Sequence, residues 1–179
     1  PARAHGPAAP GGDPIPAVLI YGAPELSATL FHEIPAGIGD PFLYLEANGR
    51  RAATVSVLDA HSVTPHGIET IGPQALGQDE LIASGIDRVA LEAEICVRAC
   101  RKLGITAAGV PPEFPLYVAD ALRAAGITLN VDADVFAERR RRKTGAQLDG
   151  IRRAQKAADA AMGVAASLIR ELRPGLTSE

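Results

Sequence analysis

Residues 105–132 read ITAAGVPPEFPLYVADALRAAGITLNVD. Two short runs, ITAAGV and ITLNVD, bracket a segment that opens on Pro115 and closes on Gly126. Proline at the first position of a helix gives up no hydrogen bond, and glycine just past the end accepts left-handed backbone. The spacing therefore predicts a strand at 105–110, a helix at 115–126 and a strand at 127–132. Strand, helix, strand is a βαβ unit with a right-handed crossover, and it places the chain in the α/β class.

Upstream, AVLIYG at 17–22 is a short apolar run and predicts a buried strand. Pro24 to Phe31 reads as a short helix stopped by Pro35, and 36–41 (AGIGDP) as loop. FLYLEANGRRAATVSVLD at 42–59 predicts a hairpin about Asn48-Gly49, since both turn positions tolerate positive φ. Val55, Val57 and Leu58 are expected in its second arm. The pattern over 60–72 is weak. Residues 73–84 and 88–103 read as helices, the second with Val89, Ala93, Cys96, Val97, Cys100 and Leu103 on one side. Gly104 ends it.

Downstream, RRRRKTGAQLDGIRRAQKAADAAM (139–162) carries five basic residues into a helical pattern. Thr144 with Gln147 three residues on forms a capping box. From there Leu148, Ile151, Gln155, Ala158, Met162, Ala165, Ile169 and Leu172 recur at alternating steps of three and four. The expectation is one long helix over 144–173, stopped by Pro174-Gly175. Thr177 or Ser178 would cap a further helix, so 174–179 reads as the start of another domain. Residues 1–16 (PARAHGPAAPGGDPIP) read as a flexible lead-in. The body of the domain is then 17–143.

At 179 residues, 47% apolar and 22% charged, the composition is that of a globular chain. Such a chain buries roughly 70% of its unfolded surface. With no Trp and only 4% aromatics, its core must be aliphatic. No apolar run approaches the roughly 20 residues of a membrane span, so no membrane partner is expected. Charge is uneven: residues 1–138 carry 8 Lys and Arg against 17 Asp and Glu, and 139–179 carry 10 against 4. Cys96 and Cys100 lie four apart, where helical Cβ atoms are about 5–6 Å apart against the roughly 3.8 Å of a disulfide. Two reduced thiols in a cytoplasmic protein are expected.

The usual catalytic signatures are missing. Gly37-Ile38-Gly39 lacks the third glycine of a dinucleotide loop, and no Lys-Ser/Thr follows a glycine at phosphate-loop spacing. His32-Glu33 begins like a zinc-protease motif, but Ala36 stands where the second His belongs and Pro35 would break the helix. His5, His32, His61 and His66 are scattered through loop-like segments. Glu92 and Glu94, two apart on a helix, do not face each other. Asp132 and Asp134 read as an acidic turn at a strand end.

The pattern D-x-D-x-F-x-x-R-R-x-x-K-T-x-x-x-L-x-x-I-R-x-A over 132–154 resembles the creatinase/prolidase/Xaa-Pro aminopeptidase metallopeptidases, at the passage from their N-terminal domain into a linker helix. Asp132, Phe136, Arg140, Lys143, Thr144, Leu148, Ile151, Arg152 and Ala154 stand at matching positions. The closing LRPGLTSE, HEIPAGIGDPFLYLEANGRR and VPPEFPLYVADALRAAGI are also similar to members of this family. One segment departs: Glu25 to Pro35 stands where the family usually has an Asn-x-x-Tyr-Leu-Thr-Gly-like stretch.

The resemblance implies a three-layer α/β/α fold with a mixed central sheet (creatinase N-terminal, RNase H-like) and a long C-terminal linker helix. It implies no catalytic, cofactor or metal residues in this chain, which alone would be inactive. The parent would be a hydrolase cutting Xaa-Pro bonds of proline-containing peptides with two divalent ions (Mn, Co or Zn), held by Asp, Asp, His, Glu and Glu of a further domain. Metal-bound water would be its nucleophile. His32 and Glu33 become candidate substrate-gate residues, and Arg140, Lys143 and Thr144 candidate domain-contact residues. The implied partners are the chain's own catalytic domain and a second copy in a homodimer.

Two other readings compete. A nucleic-acid module would use the 139–143 basic run, but Phe136 is the only aromatic in 132–179 and the rest of the chain is acidic. No nucleic-acid partner is therefore expected. A stand-alone α/β ligand-binding module would leave the long stripe unexplained. Cations ahead of a helix start oppose its dipole by about 0.3–1 kcal/mol each, so 139–143 is expected to pair with acidic groups elsewhere.

Overall fold

The computed structural model describes residues 17–171. The lead-in at 1–16, the Pro174-Gly175 stop and the cap at Thr177 or Ser178 lie outside the described residues. The chain divides between Ala137 and Glu138 into two compact units.

The first unit is built on six strands: β1 Ala17–Gly22, β2 Phe42–Ala47, β3 Arg50–Ala53, β4 Glu69–Thr70, β5 Ala107–Val110 and β6 Thr128–Val131. Their order is β4-β3-β2-β1-β5-β6, and only β2 runs against the others. The helices are α1 Ala28–Glu33, α2 Ala60–Val63, α3 Gln78–Ala83, α4 Arg88–Lys102, α5 Leu116–Ala124 and α6 Ala133–Arg141, the last of which contains the boundary. The architecture is α/β with a mixed sheet, as the βαβ signature implies.

Period-two alternation decides what each strand residue packs against. In β1, Leu19 and Tyr21 join Leu43 and Leu45 of β2 beneath Ile95, Cys96, Ala99 and Cys100 of α4 and Val118 and Leu122 of α5. Val18 and Ile20 point the other way, with Tyr44, Leu30 of α1, Val63 of α2 and Phe136 of α6. Two aliphatic cores on opposite faces of one sheet make three layers. The four central residues of β1 are all buried, as a strand covered on both faces requires.

Local chemistry starts and stops these elements. Asn48 (φ 52°) and Gly49 (φ 75°) make the tight turn between β2 and β3. Ser27 Oγ accepts from the Leu30 amide at α1. Asp87 Oδ1 accepts from the Val89 and Ala90 amides at α4, covering two otherwise orphaned donors.

Several expectations are corrected. The second hairpin arm stops at Ala53: the Thr54 side-chain oxygen takes the Leu43 amide, and Val57 and Leu58 are exposed. The helix read over 73–84 is a 3-10 turn at Pro73–Leu76 followed by α3, broken at Gly77 (φ 78°). Residues 60–70 hold α2, a second 3-10 turn and β4. Val89 belongs to the exposed side of α4 rather than its buried stripe.

The largest correction is α6. Asp132 and Asp134 are not merely an acidic turn: Asp132 Oδ1 accepts from the Val135 amide and opens a helix. Arg139, Arg140 and Arg141 form its last turn. These three therefore sit at a helix C-terminus, where the dipole favours cations, while Arg142 and Lys143 still stand ahead of the next helix start at Gly145.

The second unit contains α7, Gly145–Glu171. Its start follows the sequence reading. The Thr144 amide donates to Gln147 Oε1 at 2.9 Å, and the Gln147 amide donates to Thr144 Oγ1 at 3.2 Å. None of its residues is buried.

Candidate functional site

Because β1, β3, β4, β5 and β6 run the same way, the segments that follow them gather at one end of the sheet. In open α/β sheets that carboxyl end is where ligands bind. A cavity of about 350 Å³ lies there. Tyr21 and Phe42 line it from the strands, Thr54, Ser56 and Asp59 from the segment after β3, Asp40 from the loop before β2, and Arg88, Glu92 and Cys96 from α4.

Three of its lining residues, Tyr21, Arg88 and Glu92, belong to a hydrogen-bond knot that Tyr117 of α5 completes from outside the lining. The Tyr21 and Tyr117 hydroxyls each lie 3.1 Å from Glu92 Oε2, and 3.2 Å from one another. Arg88 Nε donates to Glu92 Oε1 at 3.0 Å. The two rings meet edge to face, centroids 6.1 Å apart. Burial raises the Glu92 pKa, but hydrogen bonds from Arg88, Tyr117 and Tyr21 outweigh it and hold the carboxyl below its ordinary value. Burial, and then the bond to Tyr117, push the Tyr21 phenol far above the ordinary range. Burial also raises Tyr117, aided by Glu92. Burial pushes the Cys96 thiol well up and Cys100 to about 12. Glu92 stays an anion while both phenols and both thiols stay protonated. Tyr21, Glu92 and Cys96 thus present hydrogen-bonding groups to the cavity.

The candidate gate pair stands elsewhere. His32 and Glu33 lie in the last turn of α1 and do not line the cavity. Glu33 belongs to a second knot on the opposite face of the sheet: Arg51 Nη2 lies 3.4 Å from Glu33 Oε2. Arg51 Nε donates to the buried Tyr44 hydroxyl at 3.0 Å, which donates to Glu46 Oε2 at 2.8 Å. Burial lowers the Arg51 pKa, but Tyr44 and the two carboxylates more than compensate. Burial is also the main reason that Tyr44 is raised above its ordinary value.

Of the other candidates, Arg140 is in the last turn of α6 and Lys143 Nζ donates to its carbonyl. Thr144 caps α7. Glu138 accepts from Arg141 at 3.0 Å and lies 3.8 Å from Arg142, so part of the basic run pairs locally. As the sequence indicates, Glu92 and Glu94 do not meet: Glu94 pairs with Arg98 at 3.0 Å. From sequence, Glu92 is weighed only against Glu94, and Tyr21 and Tyr117 are not singled out. The chain has only three tyrosines, and each hydroxyl meets a carboxylate once the chain is folded.

Among the described residues, no three His, Cys, Asp or Glu converge as a metal site. No helix there is long and apolar enough to cross a membrane.

The fold defines an α/β domain with a mixed sheet and a polar cavity at its carboxyl end. No protein-family description and no curated protein sequence matches the chain. Among solved structures it is similar to the prolidase from Pyrococcus horikoshii OT3, with a TM-score of 0.58 at 18% identity, over 89% of this chain and 39% of that one. The chain thus spans well under half of that prolidase. An Xaa-Pro aminopeptidase from Streptococcus pyogenes superposes more loosely, with a TM-score of 0.45 at 13% identity, over 70% of this chain and 84% of that one. The first likeness is one of fold.

Proposed function

We propose that this chain is the non-catalytic N-terminal domain of an Xaa-Pro peptidase-like metallopeptidase. One observation carries the reading: nearly all of this chain shares the fold of a prolidase while accounting for 39% of it. The 132–154 motif points to the same family independently. In this role the loops at the carboxyl end of the sheet shape access to an active site housed in another domain. Arg140, Lys143 and Thr144 set the passage into α7. The parent uses two divalent ions to activate water against an Xaa-Pro bond, in the cytoplasm.

The test has two parts. The purified 179-residue chain, given an Xaa-Pro dipeptide and Mn²⁺, is expected to release no proline, and clear turnover would sink the proposal. Coding sequence following Glu179 is expected to supply Asp, Asp, His, Glu and Glu ligands, and their absence would remove the parent activity.

A further inference from the structure

The proposed function leaves the cavity at the carboxyl end of the sheet without a ligand of its own. Its volume of about 350 Å³ falls within the roughly 300–1,000 Å³ of small-molecule sites. Three of the polar side chains that line it, Tyr21, Thr54 and Cys96, are 7%, 7% and 1% exposed, so the cavity reaches down to the folded core. The tyrosine and threonine hydroxyls are engaged with Glu92 and with the Leu43 amide. The Cys96 thiol has no hydrogen-bond partner among the described residues and is free to meet an entering group.

Charge selects the occupant. Three carboxylates, Asp40, Asp59 and Glu92, line the cavity against one cation, Arg88. Arg88 is committed to Glu92 at 3.0 Å, and both Glu92 oxygens are taken by Arg88, Tyr21 and Tyr117. Asp40 and Asp59 form no ion pair among the described residues. Asp59 Oδ2 accepts only from the Ser56 hydroxyl, at 2.6 Å. Two carboxylates without a close counter-charge therefore border a pocket that also presents Phe42 and Val55 from the sheet side and Ile95 from α4.

We propose that this cavity binds a small organic cation, a protonated primary amine carried on an apolar body. Asp40 and Asp59 draw the ammonium, and Phe42, Val55 and Ile95 take the body. An anion is disfavoured, because it would meet two uncompensated carboxylates and a guanidinium already paired. A free amine and the amino end of a peptide share this chemistry. The proposal rests on the cavity and not on the peptidase reading, so either can fail alone.

Leucinamide titrated into the isotope-labelled 179-residue chain, followed by amide NMR shifts at about pH 6 where the amine is protonated, tests it. Saturable shifts centred on Ser56, Asp59, Arg88 and Leu91 are expected, with a Kd of about 1 mM. N-acetyl-leucinamide, the same body without the charge, should bind roughly tenfold more weakly. Asp40→Asn and Asp59→Asn should each raise the Kd roughly fivefold. Asp40 is exposed, so its variant should keep the wild-type melting temperature. Isopentylamine separates the two sources: affinity equal to that of leucinamide supports a free amine, and weaker binding supports a peptide terminus. The proposal is overturned by the absence of saturable shifts up to about 20 mM leucinamide. Equal binding of the acetylated probe, or indifference to both Asp substitutions, overturns it as well.

Discussion

Tyr21 and Glu92 meet at 3.1 Å although 71 positions of chain separate them. The contact ties the end of β1 to the first turns of α4. Glu92 takes three donors there, and its carboxyl titrates below the ordinary 4.5 as a net result of burial opposed by those bonds. A carboxyl depressed in the folded state adds stability above its unfolded pKa and loses it as pH falls through the folded value. Thermal melts should show Glu92→Gln less stable than the wild type at neutral pH, the two converging as pH drops below 4.5. A gap that widens in acid would contradict this sign. Tyr21→Phe should cost about 1 kcal/mol in urea denaturation.

Gly77 has φ 78°, and the Arg98 guanidinium fills the space its Cβ would need. Arg98 Nη1 also donates to the Leu76 carbonyl at 3.0 Å. Gly77→Ala therefore strains the backbone and displaces that bond, and should lose about 2 kcal/mol by chemical denaturation. Gly39→Ala, with open space around its Cβ and no positive φ, is the control and should be close to neutral.

Cys96 and Cys100 are free, buried thiols, protonated at neutral pH because burial raises both pKa values. A thiol reagent at pH 8 should leave both untouched in the native protein and label both in urea. Labelling should follow the unfolding transition. Rapid native-state modification of either thiol would show that α4 is not packed as described.

Thr144 and Gln147 exchange their two bonds at an exposed helix start with no buried residue to hold it. Thr144→Ala should therefore cost about 1 kcal/mol locally. Amide hydrogen exchange should show faster exchange over the first turn of α7, with the core strands unchanged. Thr144→Ser should retain protection.

The elements that sequence made plain are those determined by neighbours in the chain. The β5–α5–β6 unit is written by Pro115 and Gly126, the β2–β3 turn by Asn48-Gly49, and α7 by Thr144 and Gln147. Helix α6 was hidden because Asp132 and Asp134 suit a turn as well as a helix start. Its signal is Phe136, whose buried ring reports an apolar contact that only the folded sheet supplies. The Tyr21–Glu92–Tyr117 knot was out of reach for the same reason. Its members come from a strand and two helices, and no local pattern links them. Glu33 was visible, but its tie to Arg51 and Tyr44 depends on α1 packing on the sheet face that carries Tyr44.

The outermost strand beside β3 is β4, only two residues long. Such a stub presents too few free backbone groups to template a foreign strand, so that margin resists edge-to-edge aggregation by brevity alone. The opposite margin, β6, has four residues, of which Val131 is 63% exposed, and among the described residues β5 pairs with only one of its sides. Among the described residues, β6 therefore offers an incoming strand a longer row of backbone groups than β4 does.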